Sequence, residues 1–509
     1  MSSVAAHPPI EGSRSRPWTR RAAAWAPVLA CLAFALVFQA LREANSDTPW
    51  LIDVCRRMLS GERLYVDVIE TNPPASVLLY MAPTAFARAL GVDAGFLVRM
   101  SVVAGVAASL ALCAAILRRA PAAFREGPAL LAAAAAATLV LPALSFDERD
   151  DIALYAGLPF LAVMAARAAG AASFPTASIL AGIGAGAAVS IKPTYALMYL
   201  APLPFALWRA GWRAALADLA PWTGAATFGL YVAAVGRYFP HYASDVLPAL
   251  REAYLPWRRP LAGLVANGST LFAGLALCVG ALASRGRPRP ATETVAALGA
   301  LGATAAMIAQ GKGWPYTGYA GAALAAISAG PALAAHWRLG ARRFSLSLLA
   351  LAALTFEGGF FWFDSNGATP PLAAAIRALG PHPTIMSLST DISIGFPLAT
   401  ESGARWVGRE NSFVIAMTAR ARLMADPNLP PDLAARLRGY EARDYSIAAQ
   451  DIASRRPDAV LAGDADWKDG EWAAPMPAVE RAMEDYAPAA HAGRAILFVR
   501  KPRLRGASR

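Results

Sequence analysis

The chain has 509 residues, of which 56% are hydrophobic and only 16% are charged, and its mean hydropathy is +0.39. Soluble domains carry about a quarter charged residues, so the composition excludes a wholly soluble protein and indicates one that is largely embedded in a membrane. The net charge of +12 is concentrated in arginines of short loops, with no basic run interleaved with aromatics, so nucleic acid is not a predicted partner. The four cysteines and five histidines are scattered, which excludes a disulfide framework and argues against a transition-metal enzyme.

Residues 1–21 are basic and are followed by the apolar stretch 22–41. No convincing cleavage site of small residues follows this stretch, so an uncleaved first span fits better than a signal peptide. We expect residues 1–21 to be a cytoplasmic N-terminus and residues 22–363 to form the membrane part.

Apolar stretches of spanning length recur throughout the membrane part. They fall at about 22–41, 96–117, 128–145, 152–169, 176–190, 194–208, 215–236, 261–283, 292–309, 315–334 and 344–363. One further stretch, 74–90, either crosses the membrane or lies at its surface. If it does not cross, every arginine cluster in a short loop faces the cytoplasm, as the positive-inside rule requires. This predicts eleven spans, with the N-terminus inside and the C-terminal region outside.

The region 364–509 differs in composition from the rest. It holds 17 of the 35 acidic residues and 18 of the 47 basic ones. Short apolar runs at 384–388, 459–462 and 495–500 predict buried strands, and 431–440 and 476–486 predict helices. A small α/β domain outside the membrane is therefore expected.

The stretch 41–74, which opens the first outer loop (42–95), is long, rich in charged and aromatic residues, and without a clear helix of its own, and such loops are usually functional when ordered. Asp47 comes six residues after the first apolar stretch, near the membrane surface, where a carboxylate can accept a proton from an attacking hydroxyl. The alternative is that Asp47-Thr48-Pro49 simply starts a helix.

The second outer loop, FDERDD at 146–151, has four acids around one arginine. In one interpretation Asp150 or Glu148 orients one of three groups, which are the acceptor, Asp47 and a bound cation, and Arg149 contacts a phosphate. In the other, the acids only cap the next helix.

Lysine is rare, with four lysines against 43 arginines. Lys192 (SIKPTY) and Lys312 (QGKGWPY) fall in short outer loops, where a compact cation suits a phosphate oxygen. The alternative is ordinary snorkelling at helix ends. Trp314 and Tyr316 beside Lys312 are candidate substrate contacts or interfacial belt residues.

One pattern combines four features of the first outer loop: Asp47, the run Gly61-Glu62-Arg63-Leu64-Tyr65, Glu70, and Asn72-Pro73-Pro74 before an apolar helix. It resembles the first outer loop of GT-C glycosyltransferases, the multi-spanning enzymes that use lipid-linked sugars, such as aminoarabinose transferases and protein O-mannosyltransferases.

The resemblance implies a polytopic α-helical fold in a bacterial cytoplasmic membrane, with 74–90 as a juxtamembrane helix. It implies transfer of a sugar from a polyprenyl-phosphate donor to an outward-facing glycan, lipid or protein, with inversion. Asp47 would be the base, Glu70 and Asn72 would contact substrate, and Arg149, Lys192 and Lys312 would stabilise the leaving phosphate.

No closed set of metal ligands and no Rossmann glycine fingerprint are present; a divalent cation among the acids stays open. The main alternative from another class is a transporter or flippase of lipid-linked saccharides. Its expected signs, ionisable residues within spans and matching halves with broken helices, are not apparent in the sequence. A catalytically inactive relative that binds partners is a third alternative.

Overall fold

The computed structural model describes residues 17–42, 45, 47–120, 127–338, 370–468 and 470–501. The predicted eleventh span, 344–363, and the predicted start of the tail at 364 lie outside these residues.

The described residues between 17 and 338 are mainly helical. The helices are α1 Pro17–Leu41, α2 Asp47–Leu59, α3 Pro74–Leu78, α4 Met81–Leu90, α5 Ala94–Arg118, α6 Gly127–Leu139, α7 Arg149–Ala168, α8 Pro175–Ile191, α9 Ala196–Leu200, α10 Leu203–Ala210, α11 Trp212–Leu216, α12 Leu219–Tyr238, α13 Leu247–Ala249, α14 Leu261–Val265, α15 Gly268–Ala283, α16 Ala291–Gln310 and α17 Tyr319–Arg338. Two π-helical turns, Tyr242–Val246 and Leu250–Tyr254, flank α13.

Several of the described helices are suited to a bilayer. Four segments are long and apolar enough to cross one: Ala94–Arg118, Arg149–Ala168, Ala291–Gln310 and Tyr316–Ala335. Shorter apolar helices occur at Trp25–Leu41, Gly127–Leu139, Pro175–Ile191 and Gly268–Ala283. The chain is therefore an α-helical polytopic membrane protein, as predicted.

The stretch 74–90 is divided into α3, of 5 residues, and α4, of 10 residues. Each is shorter than the roughly 20 residues that a spanning helix needs, and that 74–90 does not cross the membrane stays a prediction from the arginine distribution. The expectation that the first loop lacks a helix is wrong, since α2 occupies 13 residues of it. α2 is buried along most of its length, including its apolar residues Trp50, Leu51, Val54 and Cys55.

Close helix packing in the membrane part depends on glycine. A Cβ built on Gly302 of α16 would lie 2.1 Å from the Leu197 carbonyl oxygen of α9. By contrast, a Cβ on Gly274 of α15 would meet nothing within 4 Å.

We therefore expect Gly302→Ala to lower the stability of the solubilised protein by about 1–3 kcal/mol, because the helices must move apart. Gly274→Ala, the matched control, should be neutral or slightly stabilising. Thermal unfolding in detergent compares the two, and equal midpoints would show that the α9–α16 contact relaxes without cost.

The tail contains a small α/β unit, as predicted. Its helices are α18 Pro370–Arg377, α19 Leu398–Ser402, α20 Val414–Ala425, α21 Pro431–Arg455 and α22 Pro477–Ala482, and its strands are β1 Thr384–Ser387, β2 Arg405–Trp406, β3 Ala459–Gly463, β4 Trp467–Lys468, β5 Glu471–Trp472, β6 Tyr486–Ala492 and β7 Ala495–Arg500. One sheet has the order β2-β1-β3-β7-β6, with β1 parallel to β2 and β3, and β4 and β5 form a separate hairpin. The predicted helix 476–486 ends earlier, because Tyr486 begins the edge strand β6.

The tail packs on the first loop through aromatic rings and backbone bonds. The Trp50 ring lies 5.7 Å from that of Phe396 and 6.2 Å from that of Trp406. The Arg57 guanidinium donates to the Gly408 carbonyl at 2.6 Å.

The tail also holds the segment that contains the two π-helical turns. Glu252 accepts from Arg436 at 2.9 Å and from the Tyr440 hydroxyl at 3.0 Å, both on α21. The tail therefore bridges two loops of the membrane part.

Candidate active site

An ion pair between the first and second loops forms the centre of the site. Asp47 stands in the first turn of α2, and the Asn45 side chain accepts from the Thr48 amide at 2.9 Å, which fixes the start of this helix. Arg149 is the first residue of α7 and donates to Asp47 Oδ2 at 2.9 Å. The Asp47 side chain is 12% exposed and that of Arg149 is 5% exposed. The pair is therefore largely buried, with its carboxylate on the open side.

A second ion pair joins α7 to the end of α8. Lys192 Nζ donates to Asp150 Oδ2 at 2.8 Å, and the Tyr195 hydroxyl donates to the other oxygen of Asp150. Lys192 ends α8 in an extended conformation before Pro193, which turns its side chain toward α7. The Lys192 side chain is 17% exposed while that of Asp150 is fully buried, so the cation is the accessible member.

Glu70 is held by four donors, one of which is the Thr71 hydroxyl at 3.3 Å. Trp50 Nε1 donates to one oxygen, and the Asn72 amide and side-chain nitrogen donate to the other at 2.8 and 2.6 Å. The Tyr65 hydroxyl donates to the Asn72 carbonyl at 2.7 Å. The predicted substrate-binding pair Glu70 and Asn72 is thus rigid, and Asn72 supports Glu70 directly.

The surrounding charges shift the pKa of Asp47 in opposite directions. Burial raises the pKa of the Asp47 carboxyl above its ordinary value, Arg149 and Lys192 oppose the rise, and Glu70 and Asp150 add to it. These five groups therefore share one electrostatic environment, which is the arrangement expected of a tuned catalytic carboxylate.

Aromatic residues border the same space. Lys192 Nζ lies 5.5 Å from the centroid of the Tyr316 ring. Tyr316 and Tyr254 both interact electrostatically with Asp47 and Arg149. Burial raises the pKa of the Tyr254 hydroxyl, which keeps it neutral and able to donate.

Lys312 and Trp314 lie in a different set of contacts. The Lys312 ammonium donates to the backbone carbonyls of Tyr254, at 2.5 Å, and Trp257, and lies 3.9 Å from the centroid of the Tyr254 ring. Burial, with a smaller effect of Arg258, lowers the pKa of Lys312 to about 8. The Trp314 ring lies 6.3 Å from that of Trp257. These contacts fasten the end of the π-helical segment and do not support the predicted role of Lys312 at a phosphate.

The structure thus brings together most of the candidates that the sequence indicated: Asp47, Glu70, Asn72, Glu148, Arg149, Asp150, Lys192 and Tyr316. Sequence reasoning missed Tyr195. It lies three residues after Lys192 in the same SIKPTY loop, so that loop was the available signal.

No group of three or more metal-ligating side chains that could hold an ion occurs among the described residues. Two acids of the second loop pair with cations, Asp147 with Arg42 and Asp150 with Lys192.

Long apolar helices, loops that bring Asp47 and Arg149 together, and a small α/β tail packed on those loops characterise a polytopic α-helical membrane protein. The resemblance predicted from the first loop is confirmed at the level of the fold.

Two solved structures carry this comparison, both of ArnT from Cupriavidus metallidurans. The one bound to undecaprenyl phosphate aligns with a TM-score of 0.55 and 14% identity over 95% of this chain and 98% of ArnT. The apo structure aligns with a TM-score of 0.54 and 15% identity over 94% and 98%. No protein-family model and no curated protein sequence matches the chain.

Proposed function

We propose that the protein is a membrane glycosyltransferase that moves a sugar from a polyprenyl-phosphate donor to an acceptor outside the bacterial cytoplasmic membrane. The observation that carries the proposal is that one buried cluster holds two ion pairs, Asp47 with Arg149 and Lys192 with Asp150, in which Asp47 and Lys192 keep 12% and 17% of their side chains exposed. A lipid-phosphate donor fits because ArnT, with which the chain shares its fold, binds undecaprenyl phosphate.

In the proposed reaction the acceptor hydroxyl gives its proton to Asp47 while its oxygen attacks the anomeric carbon. The bond from that carbon to the phosphate oxygen breaks, and its electron pair leaves with the phosphate. Lys192 and Arg149 stabilise the negative charge that develops there. A single displacement from the face opposite the phosphate inverts the configuration.

The orientation of the chain in the membrane is part of this proposal. In it the N-terminus lies inside and the 364–509 domain lies outside, and the contacts of the described part of that domain with the first loop and with Glu252 support a role on the acceptor side.

The test compares cells that lack the protein, cells with the wild type, and cells with Asp47→Ala at equal membrane abundance. Mass spectrometry measures lipid-linked sugars and surface glycans. We expect both deletion and Asp47→Ala to accumulate one polyprenyl-phosphate sugar and to lose one surface sugar. If deletion changes the glycans while Asp47→Ala behaves as wild type, Asp47 is not the base and the transporter alternative gains support.

A further inference from the structure

The second loop contains more carboxylates than cations to pair with them. Among the described residues, the cations of this cluster are each committed to one acid: Arg42 to Asp147, Arg149 to Asp47 and Lys192 to Asp150. Glu148 and Asp151 therefore have no ion-pair partner among the described residues.

Glu148 is fully buried, and neither of its carboxyl oxygens accepts a hydrogen bond from any residue that the structure describes. A buried carboxylate with neither a cation nor a donor is costly, and the usual outcome is that it takes up a proton.

The groups facing Glu148 come from four elements. Asp47 lies on α2, Tyr80 between α3 and α4, Tyr316 before α17, and the acids and Arg149 on its own segment. Asp47 is the charge that acts on Glu148 most strongly, ahead of Arg149, and burial together with Asp47 raises the pKa of Glu148 well above its ordinary value.

We propose that Glu148 works as a neutral carboxylic acid, a positioning residue that leaves Asp47 as the negative charge facing Arg149 and so keeps Asp47 ionised as the base. This inference rests on the proposed transfer reaction. An ionised Glu148 would repel Asp47 and raise its proton affinity, and it would set a second negative charge beside a phosphate-bearing donor. Activity should therefore fall when pH rises far enough to ionise Glu148.

The first test uses Glu148→Gln, which has the same shape and stays neutral at every pH. Near neutral pH we expect transfer to fall by much less than the about 10²-fold that loss of a proton-transfer group costs. At alkaline pH the variant should lose the fall in kcat/KM that comes from Glu148, while any fall due to Lys312 remains.

Asp151→Asn is the matched control. Like Glu148, Asp151 is buried and its carboxyl oxygens have no hydrogen-bond partner among the described residues. Unlike Glu148, it experiences its strongest charge interactions with Asp150 and Glu148. The variant should keep the wild-type pH profile. If Glu148→Gln instead abolishes transfer while the protein remains folded, Glu148 acts as an ion and the inference is overturned.

A second readout does not depend on activity. Infrared difference spectra of wild type and Glu148→Gln near neutral pH should show loss of one protonated-carboxyl C=O band, which shifts in D₂O. Absence of that band would overturn the inference even if the protein proves inactive as a transferase. A wild type that shows the band but transfers no sugar would refute the proposed function alone.

Discussion

Replacing Asp47 by asparagine is expected to reduce sugar transfer by about 10²–10⁴-fold, the usual contribution of a general base. Asparagine preserves the size of the side chain and keeps an oxygen that can accept from Arg149, so the ion pair becomes a hydrogen bond and the site keeps its shape. The effect should appear in kcat/KM of purified protein in nanodiscs, with a lipid-linked sugar and its acceptor.

Asp53→Asn is the control for this change. Asp53 lies on the same helix, and burial raises its pKa to about 6, but its charged neighbours are Arg57, Arg56 and Glu62, outside the site. We expect it to keep the wild-type rate. Equal rates for Asp47→Asn and wild type would show that another group takes the proton.

The pH dependence of the wild type follows from the same environment. Asp47 must be ionised to act as a base, so kcat/KM should rise with pH as Asp47 loses its proton. Because burial raises its pKa, this acid limb should lie above the ordinary titration range of an aspartate. The limb should be absent in Asp47→Asn.

The polytopic helical character of the membrane part was predictable because long apolar runs favour spanning helices. The number of eleven spans and the position of 74–90 at the membrane surface stay predictions, the second of which depends on the arginine distribution. The sheet of the tail was predictable in part, since β1, β3 and β7 are continuous apolar runs. β2 has two residues, and β6 is an exposed edge strand with a proline, so neither carries such a signal.

The site was harder to predict because its partners are distant in sequence. Asp47 and Arg149 are 102 positions apart, and Lys192 is 42 positions from Asp150. Residue type and loop position indicated the candidates but not the pairing, which depends on how α2, α7 and α8 pack. Lys312 shows why residue type is not sufficient. Its place in an outer loop predicted a contact with phosphate, but in the fold its ammonium is surrounded by backbone carbonyls and an aromatic ring.

Replacing Lys192 by methionine is expected to reduce transfer by about 10²–10³-fold, because the leaving phosphate loses a cation placed where charge develops. The same change also leaves Asp150 buried without its cation, and breaking a buried pair costs about 3–5 kcal/mol of stability. A loss of activity in the single variant therefore has two explanations, a chemical one and a structural one.

The double variant Lys192→Met with Asp150→Asn separates them. It removes the orphaned charge, and the Tyr195 hydroxyl can still donate to the asparagine oxygen, so thermal stability should return close to that of wild type. If Lys192 stabilises the phosphate, transfer stays low in the double variant although the fold is restored. If Lys192 serves only to neutralise Asp150, transfer returns together with stability, and Arg149 is left as the cation that meets the phosphate.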